Sequence, residues 1–422
     1  MITIDGGTPL HGTVNVEGSK NTALPLLAAT ACVPGPLTLT GLPASSDVMT
    51  MLSLLTTIGF ELNPDQRGVT VGAPAGGPPP WEALEAAGAI RASYYLVPGL
   101  LNAHGEARLP WPGGCAIGAR GMELHFAVYR AFGDRVTEHD GGYTVSRHKT
   151  SPLPLRLELP IRSRGATIAA VLRAVVERRH LTLGNPNMAP ETLEVLNALS
   201  SCQVDVKVSE EELTVHLGTP METGSVWQVP GDKVEAFTLL CALAVTGGSG
   251  TVSGINPDHL TAGLSALRQL GFEPKAGECE VSLDARSPKP AAPLEAIADL
   301  APGGLDADFE PALIVTALGR EGTHRFGDDI NPGRHNNLLP QLARFGAQVT
   351  ALTSTMCELT GPQSLRPADA DAPDIRSGTA LVLAALAATG VSIIGGTDQI
   401  RRGHPDLVGA LGTLGARIRE RT

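Results

Sequence analysis

The chain has 422 residues, a length that predicts two to three domains and a large buried core. Its net charge of -11 argues against a general nucleic-acid-binding protein, which usually carries a basic stripe, and at first sight against anionic substrates as well. Hydrophobic residues make up 42% and charged residues 18%, which excludes a disordered chain, and the 49 glycines and 33 prolines predict many short elements joined by tight turns.

The N-terminal segment MITIDGGTPLHGTVNVEGSK has no basic stretch followed by an apolar run, and the apolar runs elsewhere are too short to cross a bilayer. The six cysteines are widely spaced, without CxxC or Cys/His pairs, so the sequence predicts neither a zinc site nor a disulfide framework. We therefore expect a cytoplasmic protein with reduced thiols and with no membrane or nucleic-acid partner.

One pattern recurs along the chain: an apolar helical run, then a glycine, then a short strand. Glycine is expected at this place because the residue that follows a helix end adopts the left-handed conformation. The copies that contain glycine lie at Leu54–Leu62, Tyr129–Val136, Leu267–Pro274, Leu342–Val349 and Leu411–Ile418, and a degenerate copy lies at Leu196–Val204.

A second pattern alternates with the first: a helix rich in small residues, a Gly or Pro break, and a β-branched strand. Six copies of each pattern, at a period of roughly 70 residues, account for nearly the whole chain, which argues against a coincidental α/β periodicity. The helices of the second pattern are apolar on most faces, so we expect each to be buried beneath its own sheet. Six units favour two similar domains of three units each, with a ligand site in the cleft between them.

The six buried helices are predicted to begin with polar or charged residues. A helix N-terminus offers free N–H groups and a partial positive charge, and therefore favours phosphate or carboxylate; ordinary capping is the alternative. The predicted starts are Lys20-Asn21, Arg91-Ala92-Ser93, residues 162–165, Asp232-Lys233, residues 306–308 and residues 374–376. Together they predict an anion-binding cleft, in which Asp308 and Asp374 are either general acids and bases or N-caps.

Two loops carry further candidates. The segment PGGCAIGAR, residues 112–120, has Cys115 at its tip, which is either a reactive thiol on a mobile lid or an incidental cysteine in a turn. The segment QIRRGH, residues 399–404, is a basic patch when taken alone, and His125 and His404 are interpreted as structural histidines. The other five cysteines are interpreted as core residues.

These segments together resemble the enolpyruvyl transferases, from about Val14 to Ile418, and within that family the branch that uses UDP-N-acetylglucosamine in peptidoglycan synthesis. The matching pieces are EGSKNTALP (17–25), RAS (91–93), PGGCAIGAR (112–120), the helix start at Asp308, DIR (374–376) and IRRG (400–403). The resemblance implies a two-domain α/β (α+β) fold, an inside-out α/β barrel of six βαβαββ repeats with its active site in the interdomain cleft. One domain would comprise residues 20–229 and the other residues 1–19 plus 230–422.

The resemblance also implies a reaction: the enolpyruvyl group of phosphoenolpyruvate moves to a hydroxyl of a uridine nucleotide by addition and elimination, with phosphate release and with no metal or organic cofactor. The residues that it implies for catalysis are Cys115, Asp308, Asp374 and Lys20. Those implied for binding phosphoenolpyruvate are Lys20, Arg91, Arg120, Arg376 and Arg402. Those implied for binding the acceptor are Asn21, Arg120, Leu124, Arg162, Ser163, Arg164, Gly165 and Asp308.

Roles follow from the same resemblance. Cys115 would protonate the methylene carbon of phosphoenolpyruvate and be alkylated by fosfomycin, Asp308 would take the proton of the acceptor hydroxyl, and Asp374 would share in proton transfer. Clustered cations would bind the trianionic substrate and stabilise charge in the transition state. We expect a monomer or a weak homo-oligomer.

The acceptor half departs from the family pattern while the donor half matches it. Ile161 stands where the family has Lys, Gly121 follows Arg120 in place of Pro, and His335 stands where the family has Phe. The acceptor is therefore either UDP-N-acetylglucosamine or, in a paralogue of nucleoside-antibiotic pathways, UMP enolpyruvylated on its ribose. A non-catalytic binding homologue is a third alternative, disfavoured because drift would not selectively spare the donor residues.

Overall fold

The computed structural model describes residues 1–66, 68–75, 77–113, 121–148, 151, 153–217, 221 and 224–420. Within these residues helices and strands alternate throughout, which confirms the predicted α/β class. None of the described helices is long and apolar enough to span a membrane.

The helices and strands follow one another in chain order. Up to residue 104 they are β1 (Ile2–Gly6), β2 (His11–Asn15), α1 (Lys20–Thr30), β3 (Leu37–Thr40), α2 (Ser46–Thr57), β4 (Phe60–Pro64), β5 (Gly68–Pro74), two 3-10 helices (Trp81–Ala89 and Arg91–Tyr95) and α3 (Leu96–His104). Up to residue 228 they are β6 (Glu106–Pro110), α4 (Glu123–Phe132), β7 (Arg135–His139), β8 (Gly142–Ser146), β9 (Leu155–Glu158), α5 (Arg164–Glu177), β10 (Leu181–Gly184), α6 (Pro190–Ser201), β11 (Asp205–Val208), β12 (Glu212–His216) and β13 (Val226–Gln228).

The C-terminal half continues the alternation. Up to residue 327 the elements are α7 (Lys233–Val245), β14 (Ser249–Ser253), a 3-10 helix (Pro257–Leu260), α8 (Thr261–Gln269), β15 (Lys275–Ala276), β16 (Glu280–Asp284), β17 (Glu295–Ile297), α9 (Glu310–Leu318) and β18 (Gly322–Gly327). Beyond it they are α10 (Arg334–Arg344), β19 (Val349–Ala351), β20 (Met356–Gly361), β21 (Asp369–Asp371), α11 (Ile375–Ala387), β22 (Gly390–Gly395), α12 (Thr397–Gly403), α13 (Leu407–Thr413) and β23 (Arg417–Glu420).

The described strands form six small sheets. Five are four-stranded, in the orders β13-β3-β5-β4, β11-β12-β10-β9, β15-β16-β14-β2, β17-β18-β20-β19 and β21-β22-β1-β23, and one is three-stranded, β6-β8-β7. Each four-stranded sheet contains one parallel pair, and three of these pairs, β9/β10, β17/β18 and β21/β22, are joined by a helix as a parallel connection requires. The other two parallel pairs, β2/β14 and β3/β13, join strands that are far apart in sequence.

These two long-range pairs arise where the chain passes between two hydrophobic cores. One core is built from residues between Ala23 and Val229, and the other from Ile2 to Val16 together with residues between Val234 and Leu414. The molecule is thus a two-domain α/β protein, as predicted, and the domain boundaries at residues 19/20 and 229/230 remain a prediction.

The two crossing segments lie side by side. The Ser19 amide donates to the Pro230 carbonyl at 2.7 Å, and the Asp232 amide donates to the Glu17 carbonyl at 2.8 Å. A Cβ atom added at Gly18, between these hydrogen bonds, would lie 1.8 Å from the Gly41 carbonyl oxygen, so only glycine fits at this crossing. The segments that begin α1 and α7 are therefore held together in the middle of the molecule.

The predicted repeats are present as two kinds of helix. The helices of the second pattern are buried nearly all round, as predicted; α7, for example, has only its last residue, Val245, outside the buried class. The predicted starts at Arg91 and at residues 306–308 were wrong for the α-helices themselves, because α3 begins at Leu96 after a 3-10 helix and α9 begins at Glu310.

The glycines of the first pattern have the predicted left-handed backbone. Their φ angles lie between 82° and 101°, at Gly59, Gly133, Gly271, Gly346 and Gly415. In the degenerate copy the same conformation falls on Gln203, whose φ is 68°. The repeat geometry is kept there although the residue that favours it is missing.

Candidate active site

Asp308 lies between two arginine side chains just before α9. Its Oδ1 is 3.2 Å from Nη2 of Arg334, and its Oδ2 accepts a hydrogen bond of 3.0 Å from Nη2 of Arg376. Burial alone would raise the pKa of Asp308, but the charges of Arg376, Arg334 and Arg164 outweigh it and hold that pKa well below its ordinary value. The side chain keeps 23% of its surface exposed, so an ionised carboxylate remains accessible at this place.

The two arginines are themselves held by the fold. Arg334, in the first turn of α10, places Nη1 3.0 Å from Oδ2 of Asp328 and also donates to the Ala307 carbonyl. Arg376, in the first turn of α11, is buried and donates from Nη1 to Nε2 of His404 at 3.1 Å. Both guanidinium groups therefore reach Asp308 from fixed positions.

Asp374 is the N-cap of α11. Its Oδ1 accepts from the amides of Arg376 and Ser377 at 2.9 Å each, and its Oδ2 accepts from the Ser377 hydroxyl at 2.6 Å. The side chain is buried, and both oxygens are engaged in fixing the helix start. The structure thus gives Asp374 the capping interactions, while a part in proton transfer stays a prediction.

Lys20 and Arg402 converge from the two cores on one carboxylate. Nζ of Lys20, at the start of α1, is 3.2 Å from Oδ2 of Asp47, and Nε of Arg402, on α12, is 3.7 Å from Oδ1 of the same residue. Asp47 lies in the first turn of α2, with Ser45 as its N-cap. Two of the predicted phosphoenolpyruvate ligands are thereby brought together from opposite halves of the chain.

His404 links this group to Asp308, because it accepts a hydrogen bond from Arg376, which also contacts Asp308. Burial is the main cause that holds the pKa of His404 well below its usual value, and the charges of Arg376 and Lys20 add to it, so the ring is neutral. Lys20, Arg376, Arg402 and Asp308 thus form one cluster, which we call the cation cluster.

A second group of charges lies beside the cation cluster and also joins the two cores. Glu191, at the start of α6, lies 3.1 Å from Nη1 of Arg164 and 3.0 Å from Nζ of Lys233, which is 2.7 Å from Oδ2 of Asp306. Burial would raise the pKa of Glu191, but Lys233 and Arg164 lower it to about 2. We call these four residues the interdomain ion network.

Four of the predicted acceptor residues, 162–165, lie at the start of α5 and include Arg164 of this network. Ser163 caps α5 by accepting from the Ala166 amide at 3.3 Å, and Arg162 donates to the Glu210 carbonyl at 3.4 Å. Gly165 lies under the His125 ring, since an added Cβ would be 2.5 Å from its Nε2. Asn21 and Leu124 are half-buried at the starts of α1 and α4.

Arg91 adjoins the same region. Its Nη2 donates to the Gly121 carbonyl at 3.4 Å, and its guanidinium lies 5.9 Å from the centroid of the Tyr94 ring. Tyr94 in turn packs against His125, with 4.4 Å between ring centroids. Burial and the charge of Arg91 lower the pKa of His125 to about 3, so the imidazole ring that lines this region is neutral. Cys115 and Arg120 lie outside the described residues, so their predicted roles remain predictions.

Among the described residues one group of side chains has the composition of a metal site. Ligand atoms of Glu310, His335 and Cys357 lie within 4.8 Å of one another, and all three residues are buried. Oε1 of Glu310 and Nε2 of His335 are, however, only 2.6 Å apart, the distance of a hydrogen bond. Two atoms bound to one zinc ion at about 2.0 Å would lie about 3 Å or more apart, so the pair is a hydrogen-bonded dyad.

The sequence analysis gave no site role to several residues that the structure brings into the site. They are Asp47, Glu191, Arg334 and His404. Lys233 and Asp306 lie in two of the predicted anion-binding helix starts, but the ion pair between them was not predicted. The repeat held one signal for Lys233: in PGDK it is the first residue of its helix, as Lys20 is in EGSK. The others become neighbours only through contacts between distant segments.

The chain resembles proteins of one family along its whole length. A family described as EPSP synthase (3-phosphoshikimate 1-carboxyvinyltransferase) matches residues 4–411. The UDP-N-acetylglucosamine 1-carboxyvinyltransferase of Thermus thermophilus is 34% identical over 420 residues, which cover 99% of this chain and 96% of that protein. UDP-N-acetylglucosamine 1-carboxyvinyltransferase 1 of Staphylococcus haemolyticus is 30% identical over 422 residues, covering 99% and 98% of the two chains.

Solved structures show the same fold at lower sequence identity. The enolpyruvyl transferase NikO from Streptomyces tendae aligns with a TM-score of 0.84 and 24% identity, over 100% of this chain and 98% of that one. An EPSP synthase from Acinetobacter baumannii aligns with a TM-score of 0.78 and 17% identity, over the whole of both chains.

Proposed function

Because the chain belongs to the EPSP synthase family of enolpyruvyl (1-carboxyvinyl) transferases, we propose that it transfers the enolpyruvyl group of phosphoenolpyruvate to a hydroxyl of UDP-N-acetylglucosamine. The observation that carries the proposal is the position of Asp308, an accessible carboxylate held ionised within a cluster of cations contributed by both cores. Relatives named for this activity at 34% and 30% identity support the choice of acceptor.

The donor is a trianion, and the cation cluster suits it. Lys20, Arg376 and Arg402 converge from α1, α11 and α12, and Arg91 lies near the acceptor side. Arginine is suited to binding phosphate and carboxylate through paired hydrogen bonds, and fixed cations stabilise charge that develops in the transition state. We assign the binding of phosphoenolpyruvate to these residues together with Arg120.

The proposed chemistry has two steps. In the addition, the acceptor oxygen bonds to C2 of phosphoenolpyruvate, its proton passes to Asp308, and C3 takes a proton from Cys115. In the elimination, C3 returns a proton to the Cys115 thiolate, the C2–C3 double bond re-forms, and the C2–O bond to phosphate breaks, with the proton held by Asp308 passing to the departing phosphate. Inorganic phosphate and the enolpyruvyl ether are the products.

The two arginines beside Asp308 make it a weak base before substrate binds, because a depressed pKa means low affinity for a proton. An anion bound to Arg376 would share that positive charge and raise the pKa of Asp308. Binding of phosphoenolpyruvate would in this way prepare the base that the acceptor hydroxyl needs.

UMP is the second candidate acceptor, and a specific feature favours it. Ile161, which stands where the family has Lys, is 60% exposed and supplies no charge, while Arg164 is already engaged with Glu191. A diphosphate demands more cations than a monophosphate, so the altered segment suits a nucleotide with one phosphate.

The deciding experiment follows phosphate release from phosphoenolpyruvate with UDP-N-acetylglucosamine, UMP or 3-phosphoshikimate as the acceptor. We expect turnover with UDP-N-acetylglucosamine. Turnover with UMP alone would overturn the choice of acceptor, and no release with any acceptor would overturn the proposed reaction. In that last case, a rise in melting temperature with phosphoenolpyruvate would indicate a binding homologue.

A further inference from the structure

The protonation of the His404 ring is fixed by its neighbour. Nη1 of Arg376 and Nε2 of His404 are 3.1 Å apart, at hydrogen-bond distance. A guanidinium group only donates hydrogen bonds, so Nε2 must be the acceptor and cannot carry a proton. Because the ring is neutral, its single N–H lies on Nδ1.

That N–H has no acceptor in the described part of the chain. His404 is 1% exposed, and its Nδ1 is buried without a hydrogen-bond partner among the described residues. Leaving a buried donor unpaired is unfavourable, and buried polar groups in folded proteins nearly always have partners. Within the described residues this donor is therefore open to an acceptor that a bound molecule supplies.

The surroundings specify the chemistry of that partner. The charges that act on the ring are Arg376 and Lys20, which disfavour its protonation, and Asp308, which favours it. Arg402 lies two residues earlier in the chain and, with Lys20, is drawn to Asp47. The side chains of Lys20, Arg376 and Arg402 can donate hydrogen bonds but cannot accept one from Nδ1–H. An anionic oxygen can accept that hydrogen bond and is also attracted by these positive charges.

We propose that His404 binds substrate, donating a hydrogen bond from Nδ1–H to an anionic oxygen of phosphoenolpyruvate while its Nε2 holds Arg376 toward Asp308. The inference rests on the proposed function, since it names a further ligand of the same donor substrate. It gives one side chain two separable tasks, one on each ring nitrogen.

Two amide substitutions separate these tasks. The amide nitrogen of Asn can occupy the place of Nδ1, so His404→Asn keeps the donor toward substrate but loses the acceptor for Arg376. The amide of Gln reaches the place of Nε2, so His404→Gln keeps the acceptor for Arg376 but loses the donor. His324→Gln is the matched control, because His324 is also buried but lies on β18 outside the cation cluster, where its Nδ1 accepts from the Leu294 amide at 3.1 Å.

The measurements are kcat and the KM for phosphoenolpyruvate, together with its Kd by calorimetry with and without acceptor. We expect His404→Gln to raise the KM and Kd about tenfold to hundredfold, as loss of a hydrogen bond to a charged group does, with kcat less affected. His404→Asn should keep the KM near that of the wild type and lower kcat, and His324→Gln should leave both unchanged. Calorimetry with inorganic phosphate and with pyruvate tells which end of the donor is contacted.

An unchanged KM and Kd in His404→Gln, or an equal rise in both His404 variants, overturns the proposal. If neither variant folds, wild-type protein labelled with 15N-histidine decides: a ring N–H resonance should shift downfield with phosphoenolpyruvate but not with acceptor alone, and its absence also overturns the proposal. A wild type that binds phosphoenolpyruvate but releases no phosphate would contradict the proposed function, while the Kd values still test His404.

Discussion

At the scale of single residues, Asp308 shows how neighbours set the chemistry of a carboxylate. Arg334 and Arg376 contact its two oxygens separately, and their charges keep it ionised although it is largely enclosed. The same contacts lower its basicity. The balance between these effects changes when an anion reaches Arg376, so substrate binding and base strength are coupled at this side chain.

Asp308→Asn should lower kcat by about 10²- to 10⁴-fold, because the amide cannot accept the hydroxyl proton, while the Kd of the acceptor nucleotide changes much less. Turnover and calorimetric titration on the same samples measure the two effects. Equal losses in both would make Asp308 a binding residue.

The pH dependence has a defined sign. The active form of Asp308 is the carboxylate, and its pKa in the free protein lies below the ordinary value of 3.8. Protonation of Asp308 therefore should not reduce kcat/KM between about pH 5 and 8, since kcat/KM reports the groups of the free enzyme. An acid limb in that range that disappears in Asp308→Asn would contradict this.

The cysteines differ in their capacity to react. Burial raises the pKa of Cys32, Cys241 and Cys357, which keeps these thiols protonated and poorly nucleophilic. The interpretation of Cys279 as a core residue was wrong, because it is exposed. We expect fosfomycin to label the wild type and Cys279→Ser but not Cys115→Ser, as measured by intact-protein mass. A label that persists in Cys115→Ser would assign the reactive thiol elsewhere.

At the scale of secondary structure, capped helix starts position the charged groups. Asp232 caps α7 by accepting from the amides of Val234 and Glu235, and Asp374 caps α11 in the same manner. Lys233 follows the first cap directly, and Arg376 lies two residues after the second. Each carboxylate thus fixes the helix turn from which a cation reaches a neighbouring acid.

Asp374→Asn separates capping from proton transfer. Asn caps helices about as well as Asp but does not titrate, so a capping role predicts a melting temperature near that of the wild type and a kcat within a few-fold of it. Asp374→Ala should lose about 0.5–2 kcal/mol of stability and misplace Arg376. If Asp374→Asn folds normally but loses kcat a hundredfold or more, Asp374 takes part in proton transfer.

At the scale of the whole molecule, buried charges join the two cores. The interdomain ion network connects α5 and α6 of one core with α7 of the other, and Arg402 reaches Asp47 across the same boundary. The crossing segments at Gly18 and Gly231 tie the cores together beside these contacts. The relative placement of the cores therefore depends on ion pairs whose central members, Glu191 and Lys233, are buried.

Lys233→Met should lower the free energy of unfolding by about 3–5 kcal/mol, since it leaves the buried Glu191 carboxylate with Arg164 alone. Adding Glu191→Gln should restore part of the loss, because the uncompensated charge is removed. Urea unfolding followed by circular dichroism measures both. Additive losses in the double variant would show that the two residues do not stabilise each other.

The interdomain ion network should lose its contribution to stability at low pH. The pKa of Glu191 falls from 4.5 to about 2 on folding, so its contribution is fully present above pH 4.5 and is lost as the pH falls toward 2. The acid limb of the stability curve should accordingly be shallower in Glu191→Gln than in the wild type.

The net charge of -11 describes the average surface and not the site. The cations that matter are few, lie at helix starts, and are concentrated where the two cores meet. An acidic protein can for this reason bind an anionic substrate. The net charge alone is therefore no argument against such a substrate.

The sequence determined the features that depend on local periodicity. Alternating helix and strand patterns predicted the α/β class and the buried helices. The glycine that follows the helix in the first repeated pattern predicted the left-handed turns found at Gly59 and Gly415. These predictions succeed because helix and strand periods, and the steric limits on φ, act between residues that are close in the chain.

Only the tertiary structure decided which charges meet. The start of α9 was misplaced, and the partnership of Asp308 with Arg334, of Lys20 with Asp47 and of Arg376 with His404 was not predicted. Each pair joins residues that are between 26 and 28 positions apart and lie on different elements. Such contacts follow from the way the chain folds back on itself within each core, which leaves no period in the sequence, and they set the charge state on which the proposed chemistry depends.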